Sequence, residues 1–367
     1  MRKLNGSYGR SILICICMGA LLYCPDLSAQ IDSAKAITFF GYIEGYYSYD
    51  LARPEDKLKP PCFYSFNRHN EPNINLAFLK GSYQGSRFRA NAAFMAGTYS
   101  QYNLAREPGL LKNIFELNAG FKIGRKNIWL DAGVMPSHVG FEGAIGKDFW
   151  SLTRSLMAEN SPYVETGIKL GYDTDNGKWY LAVLLLNGWQ RIRKLPGYSM
   201  PSFGHQVQFK PNAKVVINSS SFVGTDYPDS VRRMRYFHNL FGTWQLNGKW
   251  GLQGAFDIGM EQEQKGSDRY HVWHTLLLGV QYRWTDRFRT ALRAEYYRDK
   301  GGVMISSETG APFSVAGLSA NADYQLLRKL LWRIEMRGLF GHEEVFLKNG
   351  SGVQANSAIT TSLSFYF

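Results

Sequence analysis

Between Ala36 and Phe367 the chain is a run of segments in which apolar residues alternate with polar or small ones, and the connections between these segments alternate between short and long. A period of two places successive side chains on opposite faces of a strand, so each segment has one apolar and one polar face. Trp250 to Glu261 is the clearest case: Trp250, Leu252, Gly254, Phe256, Ile258 and Met260 share one face, and Gly251, Gln253, Ala255, Asp257, Gly259 and Glu261 share the other. Phe39–Tyr49, Phe115–Ile123, Phe288–Tyr296 and Trp332–Phe340 repeat the pattern, and the last segment runs through Ile359, Thr361, Leu363 and Phe365 to the terminal Phe367.

Short turns fall near Gln84-Gly85-Ser86, Gly124–Asn127, Thr174–Lys178, Pro211-Asn212, Leu246–Lys249, Thr285-Asp286 and Gln325–Lys329. Long polar loops fall near residues 51–72, 99–112, 136–163, 188–203, 224–234, 262–270, 299–312 and 342–353. A transmembrane β-barrel closes its hairpins with short periplasmic turns on one side and long extracellular loops on the other. A β-sandwich has no reason for this asymmetry. Eight loops and seven turns predict an all-β, antiparallel transmembrane barrel of about sixteen strands, with both termini on the periplasmic side.

Aromatic residues crowd the strand ends beside the short turns: Tyr83 and Phe88, Phe121 and Trp129, Tyr172, Trp179 and Tyr180, Trp244 and Trp250, Tyr282, Trp284 and Phe288, Tyr324 and Trp332. They read as an interfacial girdle at headgroup level. Beyond residue 30 no stretch of eighteen apolar residues exists, which excludes transmembrane helices.

The first residues carry a different message. Arg2, Lys3 and Arg10 precede an apolar stretch from Ser11 to Leu22, and Leu27-Ser28-Ala29 forms a cleavage site, so residues 1–29 are expected to be a secretory signal and residues 30–367 the barrel domain. A lipoprotein signal ending at Cys24 is disfavoured by the bulky Tyr23. Cleavage leaves Cys62 alone, without a disulfide partner or a cysteine metal site. It also removes three basic residues and Asp26, taking the formal charge from +12 to +10. An exported chain has little access to nucleic acid, so anionic lipid headgroups or anionic solutes are the expected counterparts, in an outer membrane.

With the apolar face toward lipid, the charged face lines the lumen. The pore-lining candidates are Glu44, Arg89, Glu116, Lys122, Asp131, Asp257, Arg289, Arg293, Glu295, Arg333, Glu335 and Arg337. The four arginines near the C-terminus either form a basic wall that favours anions or pair with the interleaved Glu295 and Glu335. The longest loop, Pro136 to Tyr163, follows the fifth strand and is placed to fold inward; Glu142, Lys147, Asp148, Arg154 and Glu159 are its constriction candidates, with a plain surface excursion as the alternative.

Enzyme readings lack their chemistry. No His has a Ser two residues away, as a strand-borne nucleophile and base would need. His271 and His274 fall on opposite faces of a strand and have no carboxylate at metal-ligand spacing; no catalytic residue, metal or cofactor is expected.

Several motifs, in order, resemble the OmpL-like β-barrel porins of Bacteroidetes-type outer membranes: Gly41-Tyr42-Ile43-Glu44-Gly45-Tyr46-Tyr47, Asn67-Arg68 with Glu71, Asn75-Leu76-Ala77, Gly140-Phe141-Glu142, Pro162-Tyr163 leading to Thr166-Gly167, and Asn187-Gly188-Trp189. The resemblance implies a porin-like channel for passive diffusion of small hydrophilic solutes or ions. Phe367 is similar to the terminal aromatic that barrel-assembly machinery recognises. A plugged barrel acting in adhesion, structure or partner binding through its loops is the alternative. Solute identity and any homo-oligomer stay open at this level.

Overall fold

The computed structural model describes residues 37–367; the proposed export signal lies outside the described residues. Sixteen antiparallel strands close into one barrel. They are β1 (Thr38–Asp50), β2 (Pro72–Gln84), β3 (Phe88–Ala96), β4 (Ile114–Ile123), β5 (Ile128–Pro136), β6 (Val164–Asp173), β7 (Trp179–Leu186) and β8 (Ser202–Asn212). The second half comprises β9 (Val215–Gly224), β10 (Arg235–Gln245), β11 (Trp250–Gln262), β12 (Tyr270–Arg283), β13 (Phe288–Asp299), β14 (Phe313–Leu327), β15 (Leu330–Gly341) and β18 (Ala355–Tyr366). The remaining pair, β16 (Phe346–Lys348) and β17 (Ser351–Val353), is a small ribbon within the last loop.

Every barrel strand pairs with its sequence neighbour, and β1 closes the ring against β18, with Tyr42 opposite Tyr366 and Asp50 opposite Ala358. Closure removes the edges that would otherwise expose unpaired amides, which is the condition for crossing lipid with strands. The seam is finished by the terminal residue: Gly41 and Phe367 exchange both backbone hydrogen bonds at 3.1 Å. A Cβ on Gly41 would lie 2.2 Å from the Phe367 ring, so glycine is what lets that ring lie flat on β1.

The alternation has its predicted outcome on the outer wall. Leu79, Phe94, Val183, Leu278, Leu292, Leu318 and Met336 are exposed side chains on the outward register, an apolar surface that suits lipid and not water. Trp179, Trp244, Trp250, Trp284 and Trp332 stand on the same wall at the short-turn rim. Two girdle assignments fail. Trp129 and Tyr180 lie on the inward register, where Trp129 is buried under the Arg89 guanidinium, 4.4 Å from the ring centroid. On β5 the apolar and polar faces are mixed, since Trp129 shares its face with Asp131, and composition alone could not tell which ring faces lipid.

Candidate functional site: a loop folded across the lumen

The loop between β5 and β6, residues 137–163 (L3), lies inside the barrel. It leaves β5 through His138, whose Nδ1 meets the Glu165 carboxylate at 2.8 Å and whose Nε2 donates to the Ser221 carbonyl of β9 at 2.8 Å. Burial opposes a charge on this ring, but the Glu165 carboxylate outweighs it and raises the His138 pKa above the usual value. The Gly140 amide then donates to Asn239 Oδ1 at 3.2 Å, and Asn239 holds Asp257 on β11.

Arg154 fastens the two limbs of the loop together. Its fully buried guanidinium donates to the carbonyls of Gly143, Ala144 and Leu152 at 2.5, 2.7 and 3.0 Å. Glu142 accepts from the Ser155 amide and hydroxyl at 2.8 and 2.6 Å, and Ser155 in turn caps the short helix Leu156–Glu159. At the tip, Lys147 and Asp148 pair with each other, the ammonium lying 5.2 Å from the Tyr366 ring and 5.7 Å from the Phe40 ring.

The descending and returning limbs are held by the wall formed by β13, β14 and β15. Arg333 donates to the carbonyls of Gly146 at 2.6 Å and Phe149 at 2.8 Å. Asn321 accepts from the Leu152 amide at 3.0 Å, and Glu335 accepts from the Thr153 amide at 2.6 Å and its hydroxyl at 2.9 Å. Arg293 donates to the Thr153 carbonyl at 2.7 Å, Arg337 to the Arg154 carbonyl at 2.7 Å, and Glu295 accepts from the Leu156 amide at 2.7 Å. Irregular backbone at membrane depth survives only where its polar groups are satisfied by protein or water. Here the charged wall supplies that satisfaction, group by group.

The same residues neutralise one another. Arg293 meets Glu335 at 3.0 Å, Arg337 meets Glu295 at 2.5 Å, and Arg333 meets Asp323 at 2.7 Å. The first two pairs reach across β14, where Gly317 lies opposite Glu295 and Ser319 opposite Arg293 and Arg337, small residues that leave room for the long side chains. Of the two arrangements open in the sequence, pairing with the interleaved glutamates is the one adopted by Arg293 and Arg337, whereas Arg333 pairs with Asp323, a partner the sequence reading did not name. Arg289 faces inward opposite Asp323, outside any ion pair among the described residues.

A second group of inward charges lies on the β2–β6 side, and a third, Arg235 with Glu261 and Asp226, lies at the long-loop end of β10 and β11. Lys80 pairs with Glu116, and Arg89 with Asp131 at 2.6 Å; in each pair the cation is about a quarter exposed while its carboxylate is buried. Lys122 and Lys169 are half-buried on the same face, and Glu44 is buried against Asn75 and Ser364. Sequence reasoning missed Lys80 and Lys169, although each stands in register with inward neighbours of its strand.

One expectation for the lumen is corrected. The polar face was expected to line it throughout, but toward the long-loop end a contiguous group of inward positions is apolar: Leu186, Phe222, Phe237, Trp273, Tyr297 and Leu339 belong to one cluster. Cys62 and Phe63 of loop 51–71 (L1), Trp189, Ile305 and Phe346 descend onto it from above. Folded-in loops supply the partners that let apolar side chains point into a barrel, and this long-range event leaves no local periodic signal. L1 is latched to L3 by Glu159, which accepts from the amides of Tyr64 at 3.0 Å and Ser65 at 3.2 Å. Burial pushes the Glu159 carboxyl up to about 7, against the pull of those amides and of Arg154 and Arg337. Lys59 of L1 is lowered to about 8 by burial. A cavity of about 220 Å3 remains beside L3, lined by Phe115, Ser137, Phe141, Glu142, Phe149 and Tyr163.

Among the described residues no group of three or more His, Cys, Asp or Glu side chains could hold a metal. His271 and His274 face opposite sides of β12.

One family profile, described as "Putative beta-barrel porin-2, OmpL-like", matches residues 36–367. No curated protein matches the sequence. Among solved structures, the chain is similar to an anion-selective porin from Comamonas acidovorans, at 10% identity and a TM-score of 0.60, covering 91% of this chain and 100% of that one. It is also similar to OmpF of Salmonella typhi in complex with daunomycin (10% identity, TM-score 0.59, 91% and 98% covered). The outer membrane channel DcaP of Acinetobacter baumannii gives 10% identity, a TM-score of 0.57 and coverage of 92% and 98%.

Proposed function

The chain belongs to the OmpL-like β-barrel porin-2 family, and from that premise we propose that L3 is the constriction of a passive diffusion channel whose lumen prefers small anions. The protein is an outer-membrane porin, and solutes cross it down their gradients without chemistry on the protein. The observation that carries the preference is the unequal exposure of the inward charges: Lys80, Arg89, Lys122, Lys169 and Arg289 reach the lumen, while Glu116, Asp131, Glu295 and Glu335 are buried by their partners. In this reading Arg293, Arg333 and Arg337 hold the loop and contribute little field. The apolar cluster beneath L1 makes the long-loop end the narrower one, with the L1–L3 latch as its gate.

Single-channel recording of the detergent-purified barrel in a planar bilayer, with the reversal potential taken across a salt gradient, tests this. Small discrete steps with an anion-signed reversal potential are expected. Cation selectivity would overturn the charge argument, and silence from a folded, heat-modifiable barrel would move the function to a plugged barrel that acts through its loops.

The remaining assignments rest on the same premise. Residues 1–29 act as the export signal and residues 30–367 as the barrel domain; amino-terminal sequencing of the membrane form should begin near Gln30. Assembly machinery reads Phe367, which is half-exposed at the seam, so its deletion should lower the assembled fraction. Lipid surrounds the apolar wall, and a homo-oligomer would form through the outward polar patch of His205, Ser219, Ser221 and His238, which hydrogen-bond among themselves. Light scattering in detergent gives the copy number.

A further inference from the structure

The two rims of the barrel differ in charge. The seven short turns hold nine Lys and Arg residues against only Asp175 and Asp286, whereas the eight long loops hold seventeen basic and fourteen acidic residues. Each short turn contains at least one basic residue, and two contain a pair, Arg125-Lys126 and Arg328-Lys329. All nine side chains are exposed, and among the described residues none enters an ion pair or donates a side-chain hydrogen bond.

The turns do not need these residues for their shape. Asn176 Oδ1 accepts from the Lys178 amide at 3.0 Å, Asn247 Oδ1 from the Lys249 amide at 2.8 Å, and Gly124 and Gly177 take the positive φ of 64°. Asn and glycine set the backbone there, and the cationic side chains serve something outside the fold. Left without counter-charges, a ring of like charges repels itself.

We propose that this ring binds the anionic phospholipid headgroups of the membrane leaflet at the short-turn rim. Two observations select lipid over a protein partner. The charge runs round all seven turns, as a lipid annulus would meet it, where a protein would favour one sector. It also lies directly beyond the outward Trp179, Trp244, Trp250, Trp284 and Trp332, whose rings fix that level as the interface. The inference rests on the outer-membrane barrel reading, which heat-modifiable gel mobility checks separately.

Those five tryptophans are also the natural probe, because the other four of the nine lie on the inward register or in loops. The experiment places the folded protein in vesicles of brominated phosphatidylglycerol or brominated phosphatidylcholine and reads quenching. At low salt, brominated phosphatidylglycerol should compete about threefold better or more, and the ratio should fall toward one at high salt because the attraction is screened. The R125Q/K126Q/R328Q/K329Q variant, folded by gel mobility, should lose at least half of that preference. The R193Q/K194Q variant in the fourth long loop should keep it. A wild-type ratio of one, or an unchanged ratio in the quadruple variant, overturns the proposal and leaves the ring to a soluble polyanion. A ratio that falls equally in the loop variant overturns its placement.

Discussion

Replacing Glu335 by alanine should release L3 from the barrel wall. The carboxylate is buried and holds the Thr153 amide, the Thr153 hydroxyl and Arg293 at 2.6, 2.9 and 3.0 Å. Each of the two loop bonds is charge-assisted, and such bonds contribute about 1.5–3 kcal/mol. Truncation also leaves Arg293 with one carboxylate fewer, and breaking a buried pair in this way costs about 3–5 kcal/mol. Most of that loss falls on loop docking, because the backbone pairing of β15 to β14 and β18 is untouched. At about 1.4 kcal/mol per factor of ten, the undocked population should rise roughly a hundredfold or more.

Trypsin reads the change directly, since Lys147 and Arg154 are the basic residues of L3 and cleavage tracks the transiently open population. Wild-type protein should resist cutting at Arg154, and Glu335→Ala should be cut there at least tenfold faster, with a larger single-channel conductance. Glu335→Gln, which keeps an acceptor for Thr153 but loses the charge facing Arg293, should fall between the two. A folded Glu335→Ala barrel with wild-type cleavage rate and conductance would refute the assignment of this wall as the loop's anchor.

Three further outcomes follow from the same contacts. The Glu159 carboxyl, raised from 4.5 to about 7, holds its proton more tightly when latched than when released, so the latch is strongest below pH 4.5 and loses its advantage as pH rises to 7. The difference is about 3 kcal/mol; open probability in bilayers should rise between about pH 4.5 and pH 7, and Glu159→Gln should abolish that dependence. A Cβ on Gly251 would come within 2.8 Å of the Trp150 ring, so Gly251→Leu should displace the tip of L3 and speed trypsin cleavage at Lys147 severalfold; unchanged cleavage would show that the tip is not seated against β11. Cys62 is buried in the apolar cluster and its thiol is pushed up by that burial, so maleimide should label the folded protein at least about tenfold more slowly than the unfolded chain; equal rates would show that L1 does not cover it.

The barrel was legible in the sequence because its information is local. Period-two alternation assigns each side chain to lipid or lumen within a strand, and Asn, Gly and Asp at the turns set hairpin lengths, so strand number, loop placement and the inward register of Glu44, Asp257, Arg293 and Arg337 follow without tertiary knowledge. What occupies the lumen was decided only by the folded structure. Whether Arg333 faces water or the Gly146 carbonyl depends on a contact between residues far apart in the chain, as does the burial of Trp273 and Phe237 beneath L1. Alternation states which way a side chain points. It carries nothing about what meets it there, because loop docking is a balance of desolvation against long-range hydrogen bonds that no local pattern encodes.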